Sequence, residues 1–216
     1  MNINAAQSAW RVLKKRYQLT DKQLELFKQY VHLLAQANKI SNLTAITSER
    51  DIVELHFDDS LALTRFMDLT HARGIADVGA GGGFPGIPLK ILMPHVPLFL
   101  IEVSQKKRQF LEMFIEQLQL ADVHIIALDW RTFLRKTAYD IDLFCARASL
   151  EVGELVRMFK PSSPYRNAQL IYWASQSWEP EKYVRPHVTR EWPYHVAGRQ
   201  RRLVVLAASE SSRVGA

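Results

Sequence analysis

Between Ile75 and Leu89 the chain reads Ile-Ala-Asp-Val-Gly-Ala-Gly-Gly-Gly-Phe-Pro-Gly-Ile-Pro-Leu, and no other stretch constrains the fold as strongly. A short apolar run into a glycine cluster, followed by Pro and a second apolar run, predicts a buried strand, a tight turn and a helix start. Glycine lets the backbone take positive φ and lets a ligand approach where a Cβ would block it. Backbone N–H groups at the start of the following helix favour an anionic group such as a carboxylate. The spacing Asp77-x-Gly79-x-Gly81-x-Gly83 fits the turn of S-adenosylmethionine enzymes. A dinucleotide fingerprint begun at Gly79 meets Phe84 at its third glycine position. One begun at Gly81 falls beyond the strand end and contains Pro85. Such a turn serves either as a cofactor cradle or as a tight connection, and the residues that follow decide.

The 216-residue chain suffices for one large domain, or one domain with a helical appendage. No run reaches the roughly 18 apolar residues that a membrane span needs. Arg11, Lys14, Lys15 and Arg16 lie near the N-terminus without an apolar core after them, so no secretory signal is expected. The absence of acids before Asp21 is shared with transit peptides, but a basic amphipathic helix is the reading adopted. The single cysteine, Cys145, excludes an intrachain disulfide framework and agrees with a reducing cytoplasm. No Cys/His cluster has zinc spacing, and no metal is expected. A net charge of +6 favours a polyanionic partner, because Lys and Arg release condensed counterions when they neutralise phosphates.

Along the chain, Thr20–Asn38 is expected to form an amphipathic helix, opened by a Thr20/Gln23 capping box and closed by Asn38. A second helix is expected over Ser48–Phe66, with polar chemistry concentrated in His56-Phe57-Asp58-Asp59-Ser60. From Ile75 the pattern alternates. Strands are expected at Ile75–Val78, Leu98–Val103, Val123–Leu128, Ile141–Cys145 and Gln169–Trp173. Helices are expected at Ile87–Met93, Lys106–Leu120 and about Ser149–Phe159. This alternation predicts an α/β fold with a mostly parallel sheet covered on both faces, and ligands at the carboxyl ends of its strands. An antiparallel pair, Tyr183–Val196 and Arg202–Ala207, closes the sheet. The expected divisions are a helical N-terminal cap over 1–70, the sheet domain over 71–208 and a frayed tail over 209–216.

Glu102 ends the second strand, where an acid accepts hydrogen bonds from the ribose hydroxyls of an adenosine-containing cofactor. Asp129, after the third strand, is placed to accept from an adenine amino group, with Trp130 packing on the ring. Each acid taken singly is a solvated strand end; their recurrence at successive strand ends after the glycine turn favours the cofactor reading.

Several motifs then occur in one order. They are Asn42-Leu43-Thr44, His56-x-x-Asp59-Ser60, the Asp77–Leu89 block, Lys106-Lys107-x-x-Phe110-Leu111, Arg147-Ala148 and Arg202-Leu203-Val204-Val205. Over nearly its whole length the chain thereby resembles the bacterial 16S ribosomal RNA guanine-N7 methyltransferases, the glucose-inhibited division protein B family. The resemblance implies a class I methyltransferase fold with a helical N-terminal cap. It implies S-adenosylmethionine as cofactor, with contacts at Gly79, Phe84, the Trp130-Arg131 position and Arg147. It also implies the small ribosomal subunit or its RNA as partner; the protein itself is expected to be a cytoplasmic monomer. Two departures stand out. Where the family has Arg-x-Glu after the third strand, this chain has Asp129-Trp130-Arg131; where it has Lys-Gly after the fifth, this chain has Ala174-Ser175. Arg131 is therefore expected to turn its guanidinium away from the cofactor, leaving Asp129 or the Trp130 backbone to meet the adenine.

The expected cofactor set is Asp77, Gly79, Gly81, Phe84, Glu102, Asp129, Trp130, Arg131 and Arg147. Methylation of guanine N7 needs no general base, since that nitrogen carries an in-plane lone pair and no proton, and no catalytic acid–base residue is assigned. Candidate RNA contacts are Lys182, Arg185, Arg199 and Arg201, within a Trp178–Arg202 stretch where basic and aromatic residues interleave. Some of those aromatics, Tyr183 and Tyr194 above all, are instead expected to pack the final strands. Two other readings share these features: a methyltransferase of the same fold with a different RNA or small-molecule substrate, and a non-catalytic scaffold that binds cofactor or RNA.

Overall fold

The computed structural model describes residues 3–41 and 43–209; Asn42 of the loop motif and residues 210–216 of the expected tail lie outside the described residues. Seven strands form one sheet: β1 (Ile75–Val78), β2 (Leu98–Ile101), β3 (Val123–Ile126), β4 (Leu143–Ala146), β5 (Gln169–Ser175), β6 (Val188–Val196) and β7 (Arg199–Leu206). Their order is β3-β2-β1-β4-β5-β7-β6. The first five run parallel, and β7 inserts antiparallel between β5 and β6. Strand order reverses between β1 and β4, so the glycine turn after β1 sits at the topological switch point, where ligands of open α/β sheets bind.

The period-2 alternation of strand side chains sorts them onto two cores. Ile75, Leu98, Leu100, Leu203 and Val205 face one, while Ala76, Val78, Phe99, Ile101, Val204 and Leu206 face the other. The first core is covered by α1 (Ile3–Arg16), α2 (Asp21–Ser41), α5 (Gly86–Leu92) and α6 (Gln105–Gln117). A composite helical run lies between them: α3 (Glu49–Asp51), a π-helical segment (Ile52–Asp58), α4 (Asp59–Leu61) and a 3-10 turn (Ala62–Arg65). The second face carries α7 (Trp130–Lys136), α8 (Val152–Leu155) and the 3-10 turn Val156–Phe159. Among the described residues no helix is long and apolar enough to cross a membrane.

The capping box forms as expected: the Thr20 N–H donates to Gln23 Oε1 at 3.0 Å, and the Gln23 N–H donates to Thr20 Oγ1 at 3.2 Å. Asn38 does not close α2, which runs on to Ser41; its side chain instead exchanges two 2.9 Å hydrogen bonds with the Thr44 backbone. The expected helix over 48–66 is continuous but changes pitch at the π segment. The expected Ser149–Phe159 helix begins later, at Val152, because Glu151 has non-helical backbone (φ −59°, ψ 137°) and stands as the N-cap. Helix α7 was not expected. Its signal is short: Asp129 caps the Thr132 N–H at 3.0 Å, and the apolar face reduces to Trp130 and Phe133. Tyr194 is buried, as expected of a packing aromatic, whereas Tyr183 is largely exposed.

Candidate cofactor site

Buried β1 ends at Val78, and the chain turns back at once. The Gly79 N–H donates to the Ile101 carbonyl at 2.8 Å and the Ala80 N–H to the same oxygen at 3.2 Å, tying the turn to the end of β2. Gly79, Gly81 and Gly83 take φ of +71°, +57° and +91°, conformations that L side chains rarely adopt. The Glu102 carboxylate, 5% exposed, accepts the Gly81 N–H and the Ser104 N–H, each at 2.9 Å. One acid thus holds both the glycine turn and the chain entering α6. A Cβ at Gly79 would strike the Ser149 Cβ at 2.5 Å, whereas one at Gly81 would meet only the Gly79 carbonyl oxygen at 3.8 Å. The space above Gly81 is therefore open to a ligand. Asp77 is fully buried, and its Oδ2 accepts the Gly86 N–H at 2.8 Å, bracing the start of α5. Its Oδ1 has no partner among the described residues, and burial pushes the carboxyl up to about 7.

Beside the turn stands an aromatic stack. The His56 ring lies 4.3 Å from Phe84 at 13°, and Tyr30 stacks on Phe84 with centroids 5.3 Å apart. The Arg147 guanidinium carbon sits 5.2 Å from the Phe84 centroid, and Nη2 lies 3.0 Å from His56 Nδ1. A guanidinium can only donate, so Nδ1 accepts and the imidazole proton resides on Nε2, which donates to Thr44 Oγ1 at 2.9 Å. Burial, reinforced by the Arg147 charge, pushes His56 down to about 3, and the ring is neutral.

Asp59 anchors this stack from below. It is fully buried, with Oδ2 at 2.9 Å from Arg147 Nη1 and 3.4 Å from Arg201 Nη1. Its Oδ1 accepts the Tyr194 hydroxyl at 2.6 Å, and its backbone carbonyl accepts the Trp173 indole N–H at 2.8 Å. Three side chains distant in sequence, Arg147, Tyr194 and Arg201, meet on one carboxylate. Sequence reasoning assigned no site role to Asp59, Thr44, Tyr194 or Trp173. The available signal was His56-x-x-Asp59-Ser60, a polar cluster within an otherwise apolar helix face.

The residues after β3 are used differently. Asp129 is exposed and caps α7, while Trp130 is 5% exposed and packs against Phe133 and Phe144 in the second core. The Trp130 indole N–H donates to the Glu154 carbonyl at 2.9 Å. Arg131 makes a bidentate pair with the Glu154 carboxylate, both contacts at 2.8 Å. The structure thus gathers Gly79, Gly81, Phe84, Glu102 and Arg147 around the turn. It engages Asp129, Trp130 and Arg131 in capping, packing and an ion pair.

The candidate RNA residues divide between the two edges of the sheet. Arg201 stands opposite Ser175, which places it and Arg199 at the carboxyl edge with the glycine turn. It also supplies a cation beside the Ala174-Ser175 departure. Arg185 precedes β6, whose first residue Val188 pairs with Leu206 at the amino edge. Lys182 is exposed in the connection leading to it. Buried in β4, Cys145 has its thiol pushed up by desolvation and presents no nucleophile.

The strand order, the antiparallel β7, the glycine turn after β1 and the acid after β2 define a class I S-adenosylmethionine-dependent methyltransferase. A mutant of MtNAS solved in complex with S-adenosylmethionine shares this fold. It superposes with a TM-score of 0.56 at 14% identity, over 92% of this chain and 77% of that one. The chain belongs to the GidB family: the family model described as rRNA small subunit methyltransferase G matches residues 23–182. The ribosomal RNA small subunit methyltransferase G of Listeria monocytogenes serotype 4b (strain CLIP80459) is 34% identical over 177 residues, covering 81% of this chain and 74% of its own length. The protein of the same name in Bacillus cereus (strain B4264) is 38% identical over 156 residues, covering 70% and 64%.

Proposed function

We propose that this chain methylates guanine N7 in the 16S RNA of the small ribosomal subunit, and does so in the cytoplasm, where ribosomes are. The observation that carries the reading is the assembly at the switch point. An open glycine turn is held by Glu102 and faces a stack in which Arg147 is fixed by Asp59 and His56.

The turn fits S-adenosylmethionine. Gly81 leaves room for backbone approach, and Glu102 retains acceptor capacity after its two N–H contacts. Gly79, Gly81, Phe84, Glu102 and Arg147 would hold the cofactor. Asp129 would lie beyond its adenine end, and Asp77 would act by bracing the turn. When bound, S-adenosylmethionine supplies a sulfonium methyl for in-line attack by the unprotonated N7 lone pair.

The work of the chain is alignment, and its site is built accordingly. His56 has both ring nitrogens engaged and is held neutral, so it serves as a wall and not as a base. Asp59 offsets the Arg147 charge, which reduces the repulsion that a cation at this position would exert on a sulfonium. Guanine N7 is recessed in the narrow groove of an RNA helix, so an unpaired or splayed nucleotide is the substrate form. Arg199 and Arg201, at the carboxyl edge, would meet its phosphates.

Calorimetric titration with S-adenosylhomocysteine, followed by labelled methyl transfer to purified small-subunit RNA, tests the reading. Binding with transfer is expected. Binding without transfer to RNA, free or within the subunit, would favour the scaffold reading, and transfer to another substrate class would favour a same-fold enzyme of different specificity.

A further inference from the structure

We infer that a second RNA-backbone docking surface lies in the cationic groove between α7 and the 157–164 segment, on the sheet face that α1 and α2 leave uncovered. The inference rests on the RNA-methyltransferase reading and names a surface which that reading does not require. The groove encloses about 750 Å³, and its lining includes Arg131, Arg135, Arg157, Lys160 and Ser162, with Asp129 its one acid.

Charge accounting decides what fits there. Behind the lining, Glu154 pairs with Arg131 at 2.8 Å and with Arg157 at 3.0 Å. Arg131 and, secondarily, Arg157 hold that carboxyl down at about 2, so it is ionised throughout the physiological range. Four cations thus face two acids. The shared carboxylate fixes two guanidiniums in place while leaving their other N–H groups free to donate. Among the described residues, the Arg135 guanidinium has one hydrogen-bond partner, the Thr132 hydroxyl at 3.3 Å. Lys160 is exposed and has no acidic partner among the described residues. A polyanion offers the missing charge, and planar guanidiniums suit phosphate oxygens.

Position selects the polyanion. Asp129 and Arg131 directly follow β3 at the carboxyl edge, level with the glycine turn, whereas Lys160–Pro164 lead back toward the start of β5. The groove therefore begins beside the cofactor edge and descends one face of the sheet. An RNA strand whose target base enters at the turn passes its flanking phosphodiesters along it. Arg199 and Arg201 grip the strand from the β7 side, so the groove gives a second line of contact on the other side of the turn.

The test uses Arg135→Ala/Lys160→Ala, which alters two exposed side chains outside the cofactor site. Affinity for small-subunit RNA is measured at several salt concentrations, alongside S-adenosylhomocysteine affinity and methyl-transfer kinetics. The inference expects RNA affinity to fall at least about 10-fold at low salt. It expects the log–log salt slope to become shallower by about 1.4, two contacts at roughly 0.7 each for a single strand. KM for RNA should rise while kcat and cofactor affinity hold. Unchanged RNA affinity and slope in a variant of a wild type that does methylate this RNA would overturn the inference and leave the function standing. A defect seen only with the assembled subunit and never with naked RNA would overturn it in favour of an acidic protein partner. If the wild type neither binds nor methylates the RNA, the functional reading itself falls.

Discussion

Asp59→Ala removes the group on which the site converges, and its cost follows from the contacts. Asp59 is fully buried, and the Arg147 side chain is only 11% exposed. Deleting one partner of a buried ion pair leaves an uncompensated charge, at about 3–5 kcal/mol. Two features moderate the loss. Arg147 retains the His56 ring, and Arg201, 27% exposed, can turn its guanidinium to water. One feature adds to it, because the Tyr194 hydroxyl loses its acceptor in a buried position, at roughly 1–3 kcal/mol. Since neighbouring terms do not add, about 3–5 kcal/mol remains the expectation. For a chain of this size that lowers Tm by about 6–20 °C. Urea denaturation followed by fluorescence and by circular dichroism measures it, coincident transitions being needed for a two-state free energy. Asp59→Asn keeps the shape and loses the charge, so it should lie between wild type and Ala. It should also weaken cofactor binding in the folded protein, because Arg147 is no longer held over Phe84. A loss below about 1 kcal/mol for Asp59→Ala would refute the claim that this carboxylate organises the site.

Three further outcomes are expected. His56, held at about 3 against an ordinary 6.5, makes stability fall as pH drops from 6.5 toward 3, because the unfolded chain takes up a proton that the fold refuses; Asp77, held at about 7 against 3.8, makes stability fall as pH rises from 3.8 toward 7. The two slopes, at most about 1.4 kcal/mol per pH unit each, oppose one another across their shared window, so His56→Gln should expose a decline with rising pH, and denaturation free energies between pH 4 and 6.5 that show no such change would count against the pair. Glu102→Ala should weaken S-adenosylhomocysteine binding about 10- to 100-fold, the cost of a lost charged hydrogen-bond partner, and calorimetry showing undiminished affinity would remove Glu102 from the site. Arg131→Ala should leave cofactor affinity unchanged, since its guanidinium is engaged by Glu154; a marked loss in the same titration would place Arg131 at the cofactor after all.

What the sequence made legible follows from where the information is local. The glycine turn needs positive φ at three positions, and only residues 79, 81 and 83 themselves decide that. The parallel strands announce themselves by short apolar runs, and Glu102 by its place at the end of one. Helix α7 was hidden because seven residues carry too little periodicity to read, so the capping by Asp129 and the packing of Trp130 were not legible beside their candidacy as ligand contacts. The Asp59 cluster was hidden for a different reason: its partners Arg147, Tyr194 and Arg201 lie 88 or more residues away, and only the sheet brings them together. The basic C-terminal stretch looked continuous, yet the hairpin register sends Arg185 and Arg201 to opposite edges, since an antiparallel pair carries its ends apart.

Methyl transfer to guanine N7 of small-subunit ribosomal RNA can be read out directly. Purified protein, S-adenosylmethionine and small ribosomal subunits, alongside their naked RNA, are incubated together, and the RNA is then cleaved at N7-methylated purines and mapped by primer extension. A protein-dependent stop beside guanine is expected in at least one of the two substrates, lost when S-adenosylmethionine is omitted. Methyl incorporation with no N7-specific cleavage, or no incorporation into either substrate by a protein that binds the cofactor, would contradict it.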